Sequence, residues 1–225
     1  MNFLSEAQAL EGEMRAFFED LHRHPEPSHF ENRTNQRVRE QLRAHQIDML
    51  CPKDNITIAV IRGAKPGKTV GLRFDTDALQ MQELCDVPYK SETDGLMHGC
   101  GHDAHTTCLL GAAKVLSAHR ADFGGEVRFL FQPAEEIFQG SLDMLKNGLL
   151  EDPKVDAAVM FHVLAGMPLP AGMVLVPGGG ITMASCEQYH ITVHGKGGHG
   201  SMPNACIDPI TAAAHIHIAL QEINS

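Results

Sequence analysis

The pattern of apolar and polar positions predicts alternating helices and strands along most of the chain. Apolar residues spaced three and four apart predict helices over residues 5–22, 34–45, 106–117 and 141–150. Short apolar runs predict strands over residues 56–61, 70–74, 127–131 and 155–161, of which the last two are expected to be buried. This alternation indicates an α/β fold with a mainly parallel sheet and helices on both faces.

The pattern of apolar and polar residues changes after the glycine-rich run at residues 176–180. Beyond it, residues 187–194 alternate like a half-exposed strand, and residues 208–223 have a helical pattern. Because domain boundaries fall in glycine- and proline-rich linkers, we expect one domain over residues 1–182 and the beginning of a second, α+β domain over residues 183–225.

Charge and composition narrow the class of partner. The 225 residues carry a net charge of -10 and contain no basic run, which argues against nucleic acid and membrane surfaces and favours a small-molecule partner. We expect no membrane-spanning segment and no secretory signal, since no long apolar stretch occurs. Six cysteines without an export signal favour the reducing cytoplasm. We interpret most of the cysteines other than Cys100 as buried packing residues.

The most informative stretch is HGCGHDAH at residues 98–105, where three histidines and an aspartate surround Cys100. A thiolate from Cys100 and an imidazole from His102 suit a borderline divalent metal. Two alternatives stay open here: a glycine loop with buried histidines, and a nucleophilic Cys100 activated by a nearby imidazole.

Three further clusters follow predicted strands, where α/β proteins collect their ligands. Asp75 and Asp77 follow the strand at residues 70–74, although a solvated turn explains them equally well. Glu135 and Glu136 follow the strand at residues 127–131. One of these carboxylates could bind metal while the other acts as a general base; alternatively, both could lie at a helix N-terminus. His162 follows the last strand, a position that a core histidine also often takes.

Competing motifs are missing from the sequence. It contains no HExxH helix, no GxSxG elbow, no phosphate-binding GxxxxGK[ST] loop and no zinc deaminase pattern.

Five stretches follow one another along the chain: LRFDTDALQMQE, MHGCGHDAHT, FQPAEE, the His162 region and GKGGHGSMP. Together, in this order, they resemble the M20 metallopeptidase family. With LHRHPE near the start, the chain is similar to the amidohydrolase branch that includes hippurate hydrolase, N-acetyldiaminopimelate deacetylase and plant auxin-conjugate hydrolases.

This resemblance implies a function and a set of residue roles. It implies hydrolysis of the amide bond of N-acyl amino acids by a metal-activated water, with one or two divalent ions chosen from Mn, Zn, Co and Ni. The implied metal ligands are Cys100, which would bridge two ions, and His102, Glu136 and His162. Glu135 would be the general base, Asp77 would support the site, and His199 would help to bind the carbonyl oxygen, often from across a dimer.

The resemblance also bears on the organisation of the protein. Residues 1–182 would form part of the catalytic domain, and residues 183–225 would begin a lid domain through which the full-length form makes a homodimer. The family pattern continues beyond residue 225 to a last histidine ligand, so we expect residues 1–225 alone to be nearly inactive. A catalytically silent metal-binding fragment is therefore the alternative to the hydrolase. A thiol-dependent enzyme using Cys100 is a third hypothesis.

Overall fold

A computed structural model describes residues 2–224 of the chain. Contacts within the chain divide it into two compact units, of which the first ends at Met167 and the second begins at Pro168. This change of unit precedes the glycine-rich run, and the assignment of residues 1–182 and 183–225 as domains stays a prediction.

The first unit is built from helices and one five-stranded sheet. Its helices are α1 (Phe3–Ala9), α2 (Glu11–Arg23), α3 (Asn32–Ala44), α4 (His102–Ala118) and α5 (Gly140–Lys146). Its strands are β1 (Asp48–Lys53), β2 (Ile56–Arg62), β3 (Lys65–Asp75), β4 (Gly124–Gln132) and β5 (Ala157–Met160). The strand order is β1-β2-β4-β3-β5, and β2 is antiparallel to both of its neighbours. Because β4, β3 and β5 are mutually parallel, every strand except β2 runs in one direction, and the predicted mainly parallel sheet is confirmed.

Two apolar clusters cover the two faces of the sheet, because side chains alternate between faces along a strand. On one face, Phe129 and Phe131 of β4 pack with Leu21 of α2 and with residues of α3 and α4. On the other face, Leu130 packs with Met144 of α5. Helices therefore lie on both faces, as predicted, and β4 is buried on both.

Some predicted elements differ from the observed ones. The first predicted helix is interrupted at Leu10, since α1 has no buried residue that would hold it in line with α2. β5 is exposed instead of buried, because among the described strands it pairs with β3 alone. β1 has no counterpart among the predicted strands, because its residues DMLCPK are mostly exposed and lack an apolar run. Cys51, Cys85, Cys108 and Cys186 are exposed, so the expectation that they are buried was wrong.

The second unit contains one longer helix, α6 (Pro209–Leu220), among the residues that the structure describes. Asp208 caps this helix by accepting a hydrogen bond from Ile210 N at 2.9 Å, and proline is favourable at the first helical position that follows. Residues 187–194 form no strand, because a strand needs a hydrogen-bonded neighbour and none of the described residues provides one. No described helix has both the length and the apolar character needed to cross a membrane.

Candidate metal centre

The ends of the parallel strands bring the predicted site residues of the first unit together. Asp75, the last residue of β3, pairs with Gln132, the last residue of β4, so Asp77 and the Glu135–Glu136 pair leave the sheet at the same edge. His162 follows β5 at this edge, since β5 runs parallel to β3. His102 is the first residue of α4. Residues far apart in the sequence therefore converge on one small volume.

His102 is fully buried, and its backbone partner fixes its tautomer. Its Nδ1 lies 2.9 Å from the main-chain oxygen of Asp77, which only accepts hydrogen bonds, so Nδ1 carries the proton. The lone pair of Nε2 is then directed away from Asp77, and this buried atom has no hydrogen-bond partner. Buried polar atoms without a partner are rare in native proteins and need an explanation.

The atoms around His102 Nε2 are those of a metal-binding site. Nε2 lies 3.7 Å from Glu136 Oε1, which is also buried and unpartnered, and 3.9 Å from Glu135 Oε2. Cys100, His102 and His162 each offer one ligand atom, and these three atoms all lie within 4.8 Å of one another. Since a mixed set of thiolate, imidazole and carboxylate is typical for Zn and neighbouring transition metals, the residues present fit a divalent ion.

Electrostatics also make the metal-free site unfavourable. Burial and the charge of Glu136 raise the pKa of the Cys100 thiol to about 12. Burial raises the pKa of Glu136 as well. For His102, burial acts to lower the pKa, but the hydrogen bond to Asp77 and the surrounding carboxylates raise it overall. A divalent cation would offset the excess negative charge and deprotonate a coordinating thiol outright.

Asp77 connects three parts of this site. It is buried and accepts hydrogen bonds from Ser28 Oγ at 2.7 Å and from Glu136 N at 3.0 Å, and its Oδ1 lies 3.2 Å from His102 Nδ1. Burial alone would raise its pKa, but these donors lower it, so the carboxylate is ionised. Asp77 therefore holds the peptide of Glu136 and the ring of His102 in one arrangement.

The segment that carries Glu135 and Glu136 is a turn, and a hydrogen bond to a buried carboxylate fixes its first part. Ala134 has a positive φ of 49°, and its N–H donates to the buried carboxylate of Glu31 at 2.6 Å. α5 begins only at Gly140, so the alternative that these two glutamates start a helix is wrong. The turn lets neighbouring residues point in different directions, with 28% of the Glu135 side chain exposed and 21% of that of Glu136.

The structure also shows residues near the site that sequence reasoning did not single out. His22 Nδ1 lies 2.6 Å from Asp103 Oδ2, and its Nε2 lies 3.3 Å from Glu83 Oε1. This network joins α2 to the start of α4, directly after His102. The nearby His98 is buried with both ring nitrogens unpartnered, and burial lowers its pKa to about 4. The sequence signals for this network were the LHRHPE stretch, the last glutamate of LRFDTDALQMQE and the aspartate of HGCGHD.

His199, predicted to help bind the substrate carbonyl, belongs to the second unit. Its side chain is exposed, and its Nδ1 lies 2.9 Å from Ser201 Oγ. Its role stays a prediction.

Comparison with known proteins gives consistent matches. Residues 71–222 match the family described as peptidase family M20/M25/M40. N-acetylcysteine deacetylase of Bacillus subtilis is 41% identical over 208 residues, which are 92% of this chain and 53% of that protein. N-acyl-L-amino acid amidohydrolase of Geobacillus stearothermophilus is 40% identical over 207 residues, which are 91% of this chain and 55% of that protein.

The solved structures give a match of the same kind. A dinuclear metal-binding peptidase of the M20 family from Bacillus subtilis has a TM-score of 0.68 and 39% identity, covering 72% of this chain and 45% of that one. The chain spans about half the length of the curated relatives it matches.

Proposed function

Because the chain belongs to peptidase family M20/M25/M40, as its motifs predicted, we propose that the whole protein hydrolyses the amide bond of N-acyl amino acids with the help of divalent metal. The observation that carries this proposal is the buried, unpartnered Nε2 of His102 beside the unpartnered Oε1 of Glu136. Relatives named for N-acetylcysteine and N-acyl-L-amino acids support the substrate class.

Cys100, His102, Glu136 and His162 would hold one or two ions, and Mn, Zn, Co and Ni all suit such ligands. When bound, a divalent ion polarises the amide carbonyl and lowers the pKa of a water molecule. The backbone oxygen of Asp77 keeps the lone pair of His102 Nε2 directed into the site.

Glu135 is the proton carrier in this proposal. Its carboxylate is the more exposed of the pair and lies 3.9 Å from His102 Nε2, within reach of a water in the site. A carboxylate oxygen of Glu135 takes a proton from the attacking water, whose oxygen adds to the amide carbon. As the C–N bond breaks, the same proton moves from Glu135 to the departing amine nitrogen. Asp77 keeps Glu136 in its own position through the Glu136 N–H.

The two alternatives are less well supported. A thiol-dependent enzyme needs a thiolate at Cys100, whereas burial and neighbouring carboxylates hold this thiol protonated. A catalytically silent metal-binding fragment needs ligands but no second carboxylate beside them, whereas Glu135 Oε2 lies 3.9 Å from His102 Nε2. A cytoplasmic location, a homodimer formed through the second domain and a substrate contact from His199 stay predictions from the sequence.

The experiment separates the two neighbouring glutamates in the whole protein. Glu135→Gln should keep metal and lower kcat by at least about 100-fold, as expected for a lost general base. Glu136→Gln should weaken metal binding, measured by metal analysis after dialysis. Glu11→Gln, on an exposed part of α2, is the matched control and should change neither quantity. Turnover is measured with N-acetyl, N-benzoyl and N-succinyl amino acids, and a near-normal kcat in Glu135→Gln would contradict the assignment.

A further inference from the structure

We infer that Asp75 and His105 are positioning residues that fix the orientation of the His162 imidazole. This inference rests on the proposed function, in which His162 is a metal ligand. It concerns a chain of hydrogen bonds that starts at the Arg73–Asp75 ion pair in β3, passes through α4 and ends at the segment after β5.

The segment that carries His162 has little packing of its own. Val159, Met160 and Phe161, which lead into it, are 55%, 46% and 38% exposed. Within residues 2–224, β5 has one strand neighbour, β3. Among the described residues, the contact that can fix the orientation of this segment comes from a buried side chain of α4, which accepts a hydrogen bond from Val163 N.

His105 supplies this contact. Its ring is fully buried, and its Nε2 accepts a hydrogen bond from Val163 N at 2.9 Å. Because a backbone N–H only donates, Nε2 is unprotonated and Nδ1 carries the proton. That proton is donated to Asp75 Oδ1, at 2.5 Å. The other carboxylate oxygen of Asp75 lies 3.2 Å from Arg73 Nη1, and a guanidinium is always charged.

The next link leads to His162. Val163 O accepts a hydrogen bond from His162 Nδ1 at 2.6 Å, and a carbonyl oxygen only accepts, so the lone pair of His162 lies on Nε2. This Nε2 is 3.4 Å from Cys100 Sγ. Val163 is thus tied through its N–H to His105 and through its C=O to His162. The edge of the His162 ring also packs against the His105 ring, with centroids 4.5 Å apart.

The same contacts argue against His105 as a ligand. Asp75, His102 and His105 bring donor atoms close enough to bind an ion. Both ring nitrogens of His105, however, are already engaged, one by Asp75 and one by Val163 N. A metal there would break one of these bonds. Partners of this kind, placed behind a ligand, typically change metal affinity by about 10- to 100-fold when they are removed.

Two substitutions at position 105 test the two hydrogen bonds of His105 separately, the one with Val163 N and the one with Asp75. In Gln, the amide reaches the place of the imidazole Nε2, so His105→Gln keeps an acceptor for Val163 N–H. In Asn, the amide reaches the place of Nδ1, so His105→Asn keeps the contact to Asp75 and loses the one to Val163. His45→Asn, at an exposed histidine, is the matched control.

The test is a titration of Co²⁺ into the purified, metal-free protein, followed by the ligand-field and thiolate-to-cobalt absorption bands. His105→Asn should weaken Co²⁺ binding by about 10- to 100-fold and shift the ligand-field bands at saturation. The thiolate band should remain, because Cys100 is unchanged. His105→Gln keeps the Val163 contact and loses the bond to Asp75, so its affinity should lie between those of wild type and His105→Asn, and so should that of Asp75→Asn. Urea unfolding of the metal-free variants controls for loss of fold.

Equal affinity and equal spectra in His105→Asn and wild type would overturn the inference while leaving the proposed function intact. Equal losses in His105→Gln and His105→Asn would also overturn it, since the Val163 contact would then not be the deciding link. If the wild-type protein bound no Co²⁺ and showed no thiolate band, the proposed function itself would fail.

Discussion

Substitution of Asp77 gives a direct test of how the metal-free site is held together. The Asp77 carboxylate is buried and serves Ser28 Oγ, Glu136 N and His102 Nδ1. In Asp77→Asn, one carboxylate oxygen is replaced by an NH₂ donor. In one orientation of the amide this donor faces Glu136 N–H, and in the other it faces His102 Nδ1–H. The less costly orientation places it towards His102, because that ring keeps its bond to the Asp77 main-chain oxygen.

The expected loss in the free energy of unfolding depends on which hydrogen-bonding groups each variant leaves without a partner. Asp77→Asn loses one hydrogen bond to a charged group, so we expect the free energy of unfolding to fall by about 1.5–3 kcal/mol. Asp77→Ala also removes the acceptor for Glu136 N and Ser28 Oγ, and each unsatisfied donor adds about 1–3 kcal/mol. Ser28→Ala removes only one donor, at a half-buried position where water can replace the hydroxyl, so its cost should be about 1 kcal/mol.

Urea unfolding of the metal-free protein, with a chelator present, measures these differences. The expected order of loss is Ser28→Ala, then Asp77→Asn, then Asp77→Ala. The reasoning would be refuted by an Asp77→Asn variant as stable as wild type, or by one less stable than Asp77→Ala. Far-UV circular dichroism of each variant verifies that the starting state is folded.

Two further predictions concern the surroundings of the site. The hydrogen bond to Asp103 raises the pKa of His22 above its ordinary value of 6.5. The protonated ring therefore stabilises the folded state fully below 6.5, and this contribution is lost as the pH rises through the folded-state pKa. Unfolding free energies measured on both sides of this window should show a smaller drop in His22→Gln than in wild type, and an equal drop would count against the network. At Gly140, a Cβ would lie 1.5 Å from Pro133 O, so Gly140→Ala should cost about 1–3 kcal/mol and displace the turn that carries Glu135. Gly12→Ala, where a Cβ meets nothing within 4 Å in a helix, should instead stabilise the protein by about 0.5–1 kcal/mol, and thermal unfolding compares the two.

The sequence predicted those elements whose apolar pattern coincides with burial. β2 and β4 are buried along most of their length, and their apolar runs predicted them. β1 is mostly exposed, so no such run marks it. The alternation at residues 187–194 predicted a strand, but alternation describes only the side chains. A strand also needs a neighbouring backbone, which a local pattern cannot supply.

In the candidate site, too, some features could be predicted from local sequence and others could not. The rule that ligands gather at the ends of parallel strands brought the Asp77, Glu136 and His162 clusters to one edge of the sheet. The loop of Cys100 and His102 follows no strand and reaches this edge through the start of α4. The rule gave no information about contacts across long stretches of sequence. His22 and Asp103 are separated by 81 residues, and His22 and Glu83 by 61. Such pairings depend on how α2 packs against α4, which the apolar face of each helix leaves undetermined.

The two imidazoles of the candidate centre take their orientation from main-chain oxygens, those of Asp77 and Val163. Every residue type carries this oxygen, so sequence drift at position 163 leaves the acceptor in place. Only proline would remove the N–H that binds His105. The positions of the Val163 N–H and C=O, by contrast, depend on the path of the backbone, which a change in loop length would alter. Inserting or deleting a single residue between β5 and Val163 would move both groups at once, so lineages that retain this chemistry should vary in residue identity here but not in loop length.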